Sequence, residues 1–296
     1  MGLDGLAGEF WAWRAATQPD SYDDITRIER PAGWVADWSP GAVQGRRRAL
    51  ASFVERYREL DLTSEPVAVQ VDGRLLGCAL ARVHWELELL RGWERNPRFH
   101  LDQALVPIYN RLLEPPPIDA ARAEALLRHL RRVPVVLAQA RENLAGRAAP
   151  SFAEHAVRAL DAADARLRTA MHALTPHLPR LQAAGLPAAT DLAAAALVEY
   201  REWLEVQLPS FTGPTAPGPA AFAFFLHRSR CCRTRWSGCA RRAARNWLVR
   251  SPPRPSCATG TGTRPTPRSS PTWRHTWLAS APTSSPSAGS TSSGAS

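Results

Sequence analysis

His84 and Glu88 stand four residues apart in the stretch HWELE. On a helix that spacing puts an imidazole and a carboxylate one turn apart on one face, where they could hold a metal ion or move a proton. The pattern is not HExxH, and no second histidine follows at the needed spacing, so we read an ordinary surface pair. Asp161 and Asp164 are one turn apart, as are Glu199, Glu202 and Glu205. Paired carboxylates can do acid–base work. With no partner group in view, these read as solvated helix faces. His172 and His177 flank a turn at HALTPH, where histidine commonly meets open carbonyls and the negative end of a helix dipole. Trp11, Trp13, Trp34, Trp38, Trp85, Trp93 and Trp203 read as core packing rather than a stacking platform for bases. No residue is therefore assigned a catalytic, cofactor-binding or metal-binding role.

The densest chemistry by residue type lies in RCCRTRWSGCARRAARNW, residues 230–247, with three of the five cysteines and six arginines but no acid. It sits in a chain of two unlike parts. Residues 1–205 hold all 27 acids and 25 arginines, a balance of −2, whereas residues 206–296 hold 12 arginines and no acid. The overall charge of +10 is thus concentrated at one end. There is no lysine, which points to a GC-rich gene. Cys78 alone precedes the acid-free part and reads as a small buried hydrophobe. The first residues, MGLDGLAGEFWAW, lack the charged start and apolar core of a secretory signal. No apolar run approaches the roughly 20 residues of a membrane span. A cytoplasmic protein with no membrane partner is expected.

Whatever positions these residues must be helical. Ser39 and Pro40 start one helix as N-cap and first-turn proline, with an apolar stripe through Val43, Leu50, Phe53, Val54, Tyr57 and Leu60. Ser64 and Pro66 start a second, which swallows the alternating VAVQV and continues to RGW at 91–93. Further helices are read in HLDQALVPIYNRLL, DAARAEALLRHLRR, PVVLAQARENL, FAEHAVRALDAADARLRTAMHAL and DLAAAALVEYREWLEVQL. EPPPID and TPHLP serve as short proline-bearing connections. No run of β-branched alternation is long enough for a sheet. The expected class is all-α, a multi-helix bundle or array over residues 1–226.

The stretch from Trp93 to Leu144 resembles the bacterial domain-of-unknown-function family 885, and the resemblance extends over residues 8–226. It is carried by Trp93, Asn96, Pro97, Leu101 and Asp102, and then by Pro134, Ala140, Arg141, Asn143 and Leu144. ALASFVERYRELDL upstream and AALVEYREWLEVQLP downstream fit the same rhythm. The resemblance implies the N-terminal part of a helical zinc-metallopeptidase-like fold. Such proteins carry HExxH and a following Pro-Gly-His well downstream of the matched part, and act on a peptide or small amide-like substrate. This chain contains no HExxH. Zinc is expected for the full-length family, no cofactor for this chain, and no hydrolase activity for the chain as written.

The family pattern fades after AAFAFFL, ending at Leu226, and residues 227–296 read as a disordered, low-complexity Arg/Ser/Thr/Pro tail. Three readings compete for it. A metal site could draw on His227, Cys231, Cys232, Cys239 and Cys257, but adjacent cysteines rarely share an ion and no CxxC pair exists. A basic arm with four tryptophans could contact nucleic acid, which would make the chain a non-enzymatic helical binding protein. The third reading, which we adopt, is a GC-rich gene read out of frame, so nucleic acid is not the expected partner. Moving the reading phase back one base turns written Ser, Cys and Trp into Leu, Val and Phe, written Thr into Asp, Asn, His or Tyr, and AGG arginine into Glu or Gln. With plausible GC-rich codons, SRCCRTRWSGCARRAARNW becomes VALLPYPVERVRAAGRAEL, which is amphipathic and acid-bearing. The shift would fall near Leu226–Ser229.

Overall fold

A computed structural model describes residues 2–20 and 29–229. Those residues form helices and connections with no strand, an all-α array. In chain order the helices are α1 (Leu3–Thr17), α2 (Pro40–Arg58), α3 (Val67–His84), α4 (Gly92–Arg95) and α5 (Pro97–Leu113). Then come α6 (Ala120–Leu144), α7 (Pro150–Leu160), α8 (Ala163–Leu174), α9 (Arg180–Gln207) and α10 (Pro219–Phe224).

The boundaries follow local chemistry. Ser39 caps α2 by accepting from the Ala42 amide, with Pro40 at the first position. Asn96 and Asp119 cap α5 and α6 in the same way. Ser64 does not cap α3: the helix starts at Val67, after Pro66 in extended geometry and with no side-chain cap. Nor does α3 run on to Trp93. At Trp85–Leu90 it widens into a π-helical turn, which ends where Arg91 takes a left-handed backbone, φ 48°.

Two further expectations are corrected by packing. Residues 120–144 are one helix, not two, because Pro134 lies inside α6. A mid-helix proline forfeits one hydrogen bond. Here Leu130, Val133, Val136, Leu137 and Ala140, on both sides of it, are fully buried, and that burial offsets the loss and keeps the helix continuous. Conversely, the helix expected through FAEHAVRALDAADARL breaks at Ala162, φ 49°, into α7 and α8.

The core centres on α6, which packs on α5 and on α9. Ala123, Leu126, Leu130, Val133 and Leu144 meet Leu186, Ala193, Leu197, Tyr200 and Leu204 there. With its following turn, α9 spans Arg180–Ser210 and is long and apolar enough, by length and composition, to cross a bilayer. That corrects the expectation that no segment would be. In this fold it packs against α6, α7 and α8. Its partner-facing side is mostly alanine and leucine, which allows close helix approach. Residues 230–296 lie outside the described residues.

Candidate functional site: a tryptophan-lined cleft with an unpaired arginine

Three buried amides fix the non-helical segments beside the N-terminal helices. Gln103, on α5, accepts from the Asp20 amide at 2.9 Å and donates to the Asp20 carbonyl at 2.8 Å. Gln139, on α6, accepts from the Trp38 amide at 2.8 Å and donates to Asp37 Oδ1 at 2.7 Å. One turn further, Asn143 donates to the Trp38 carbonyl at 2.6 Å. A buried strand-less backbone has to satisfy its polar groups this way. Burial alone would raise the Asp37 carboxyl, but hydrogen bonds from Ser39 and Gln139 and the Arg132 charge hold it below the ordinary range.

Between these anchored segments and the α3 π-turn lies a cleft of about 200 Å³. Its apolar wall includes Trp13, Trp38, Trp85, Trp93 and Phe99. Trp38 and Phe99 meet edge to face, with centroids 4.6 Å apart, and the Trp93 indole donates to the Leu87 carbonyl. The wider π-turn presents Glu86 to Arg14 of α1 at 2.6 Å, while Arg82 approaches its other oxygen at 2.8 Å. Asp20 is buried and ion-paired with Arg30 at 3.0 Å. Burial raises its carboxyl despite that arginine. Asp102 is held by Arg98 at 2.7 Å.

Arg46, on α2, is different. Its guanidinium lies 4.1 Å above the Trp38 ring, and Nη2 donates to the Asp37 carbonyl at 2.6 Å. Nε and Nη1 are buried without a hydrogen-bond partner, and so is the indole nitrogen of Trp85. Burial brings Arg46 down to about 10, with Asp37 opposing and Arg14 and Arg30 adding to the fall. It stays charged at neutral pH. The cleft therefore has aromatic walls, three carboxylates each held by an arginine, and one cation, Arg46, whose counter-charge Asp37 is not in ion-pair contact with it among the described residues.

The sequence motif from Trp93 to Leu144 proves to be structural support for this cleft. Trp93 lines it, Asn96 caps α5, and the Pro97 carbonyl accepts from the buried Tyr200 hydroxyl at 3.1 Å. Ala140 and Leu144 are core, and Asn143 pins Trp38. A family model for bacterial proteins of unknown function, DUF885, matches residues 24–231. The chain belongs to the DUF885 family. No curated protein matches this DUF885 chain. A solved structure from Shewanella oneidensis, described as "a putative lipoprotein of unknown function", is similar with a TM-score of 0.51 and 16% identity. The match covers 70% of the DUF885 chain described here and 37% of that protein, so the chain spans just over a third of it. At that identity the likeness concerns the fold.

The residues singled out by spacing do not converge in the DUF885 fold. Glu88 is taken by Arg47 through two hydrogen bonds of 2.5 and 2.6 Å, and His84 packs against Phe224. Asp161 follows α7 as its C-cap and Asp164 lies in the first turn of α8, on either side of Ala162, and Asp161 meets Arg201 at 3.2 Å. Glu199, Glu202 and Glu205 are exposed on α9, with Arg201 held by Glu205 at 3.0 Å. His172 and His177 are exposed around the turn after α8. Cys78 is half-buried rather than buried, and His227 is exposed. Cys231, Cys232, Cys239 and Cys257 lie outside the described residues.

Structural zinc sites take four converging His, Cys or carboxylate ligands, and catalytic ones three. Among the described residues no group of three could hold a metal, so these residues do not fit the zinc ion that the resemblance implies. The tryptophans divide: Trp38 and Trp93 are buried, Trp11 is exposed, and Trp13 and Trp85 line the cleft. Sequence reasoning missed Arg14, Glu86 and Gln103, because each finds a partner far along the chain, and Arg46, whose partners Asp37 and Trp38 lie in the non-helical segment before α2. The one local hint was GRRRAL at 45–50, three successive arginines with no acid beside them.

Proposed function

We propose that this chain is the helical, substrate-holding part of a metal-dependent hydrolase of peptides or small amide-like compounds. The metal-binding part lies beyond the described residues, and the chain as written holds its ligand without cleaving it. The observation that carries the reading is the cleft: aromatic walls around a set of fixed charges suit a short peptide-like molecule with an apolar body and a polar end. The DUF885 match ends at residue 231, close to Leu226–Ser229, which supports a change of reading phase there.

The test is a titration of the full chain with short peptides, followed by tryptophan fluorescence, together with a zinc-supplemented hydrolysis assay before and after one-base repair of the gene. Binding without cleavage by the written chain, and zinc-dependent cleavage by the repaired one, are expected. No binding by either would overturn the reading. A salt-dependent shift of nucleic acid that needs residues 227–296 would favour the helical binding protein with a basic arm instead.

A further inference from the structure

We infer that the cleft recognises a carboxylate, and that Arg46 is the residue that reads it. This rests on the cleft being the substrate-holding site and names the end of the substrate that it grips. The argument is one of unmade contacts. Three guanidinium groups, Arg14, Arg46 and Arg82, line the cleft with three carboxylates, Asp20, Glu86 and Asp102, and Arg30, Arg98 and Asp37 stand behind them. Each lining carboxylate is within 3.0 Å of an arginine nitrogen, and Glu86 serves two arginines. Arg46 feels the Asp37 charge, but its contacts are a main-chain carbonyl and the face of Trp38.

A half-buried cation with two buried nitrogens unbonded is an incomplete arrangement, and an anion would complete it. The unbonded Trp85 indole nitrogen belongs to a second cleft-lining residue and offers a neutral donor. A guanidinium and an indole donor suit a planar carboxylate, which accepts hydrogen bonds at two oxygens. The rest of the wall is indole and phenyl surface, which suits an aromatic or bulky apolar group next to that carboxylate. The class of ligand is thus a small carboxylate with an apolar body, such as the C-terminal end of a peptide whose last residue is aromatic.

The probes are N-acetyl-phenylalanine, its uncharged amide and inorganic phosphate, titrated into the full chain by calorimetry and tryptophan fluorescence. The acid is expected to bind at least tenfold more tightly than the amide, and phosphate at tenfold excess is not expected to displace it. In Arg46→Met, which keeps the apolar stem over Trp38, the acid and the amide are expected to bind alike. Arg46→Lys keeps the charge without the planar fork and is expected to retain part of the preference. Circular dichroism checks that each variant is folded, and the comparison of acid with amide on the unaltered chain stands if neither is. Equal binding of acid and amide by the unaltered chain overturns the carboxylate inference and leaves the cleft as the substrate site. Displacement by phosphate overturns it in favour of general anion binding. Binding of none of the probes overturns it too, and short peptides that still bind then keep the substrate reading apart from this failure.

Discussion

At the scale of single residues, buried polar groups do the positioning, and their cost shows in pH dependence. His100 is fully buried, and its Nε2 donates to the Trp93 carbonyl at 2.6 Å. Only the tautomer with hydrogen on Nε2 can do this, so Nδ1, unpartnered, carries none. Burial pulls His100 down to about 4 despite that hydrogen bond, and burial with nearby Arg111, Arg128 and Arg30 does the same for His129. The unfolded chain takes up these protons first, near pH 6.5. Their neutral burial is therefore fully tolerated above about pH 6.5 and opposes folding progressively as pH falls towards 4. Urea unfolding at pH 7 and pH 4.5 should show a loss of a few kcal/mol, and His100→Gln should make that loss smaller. A second expectation concerns Gln139. Gln139→Leu strands the Trp38 amide and removes a donor from Asp37, so stability should fall by about 1–3 kcal/mol in the same assay.

At the scale of elements, close approach and local geometry decide where helices begin and end. Gly213 donates its amide to the Ala148 carbonyl at 2.9 Å, and a Cβ there would overlap the Arg147 main-chain oxygen. Gly213→Ala should lower stability by about 2 kcal/mol or more, read from its denaturation midpoint, because backbone cannot give way as a side-chain end can. Helix existence and the Ser39–Pro40 start were legible in the sequence, since caps and apolar stripes are local. Pro134 was not, because proline is a local breaker whose penalty is offset by burial that only the tertiary fold supplies. The left-handed Ala162 and the π-turn at 85–90 leave no compositional mark, and Ala162 is what breaks the helix between Asp161 and Asp164. The cleft was unreadable for the same reason. Its ion pairs join residues such as Arg14 and Glu86, 72 positions apart.

At the scale of the whole molecule, α3 leaves Val67, Val71 and Leu75 exposed at four-residue spacing, one continuous apolar stripe. Such surfaces promote association between molecules. Val71→Glu should reduce concentration-dependent light scattering of the full chain while leaving its melting temperature nearly unchanged. The contrast between the acid-bearing residues 1–205 and the acid-free residues 206–296 is the other large-scale feature, and the change of reading phase proposed near Leu226–Ser229 would account for the part beyond it. The most direct measurement is the nucleotide sequence of the gene across codons 220–235 and onward past the present stop. The account predicts one base gained or lost near codons 226–229, followed by an acid-bearing helical frame that runs into HExxH. An unshifted gene whose native message encodes the arginine- and cysteine-rich residues 230–247 as written would contradict it.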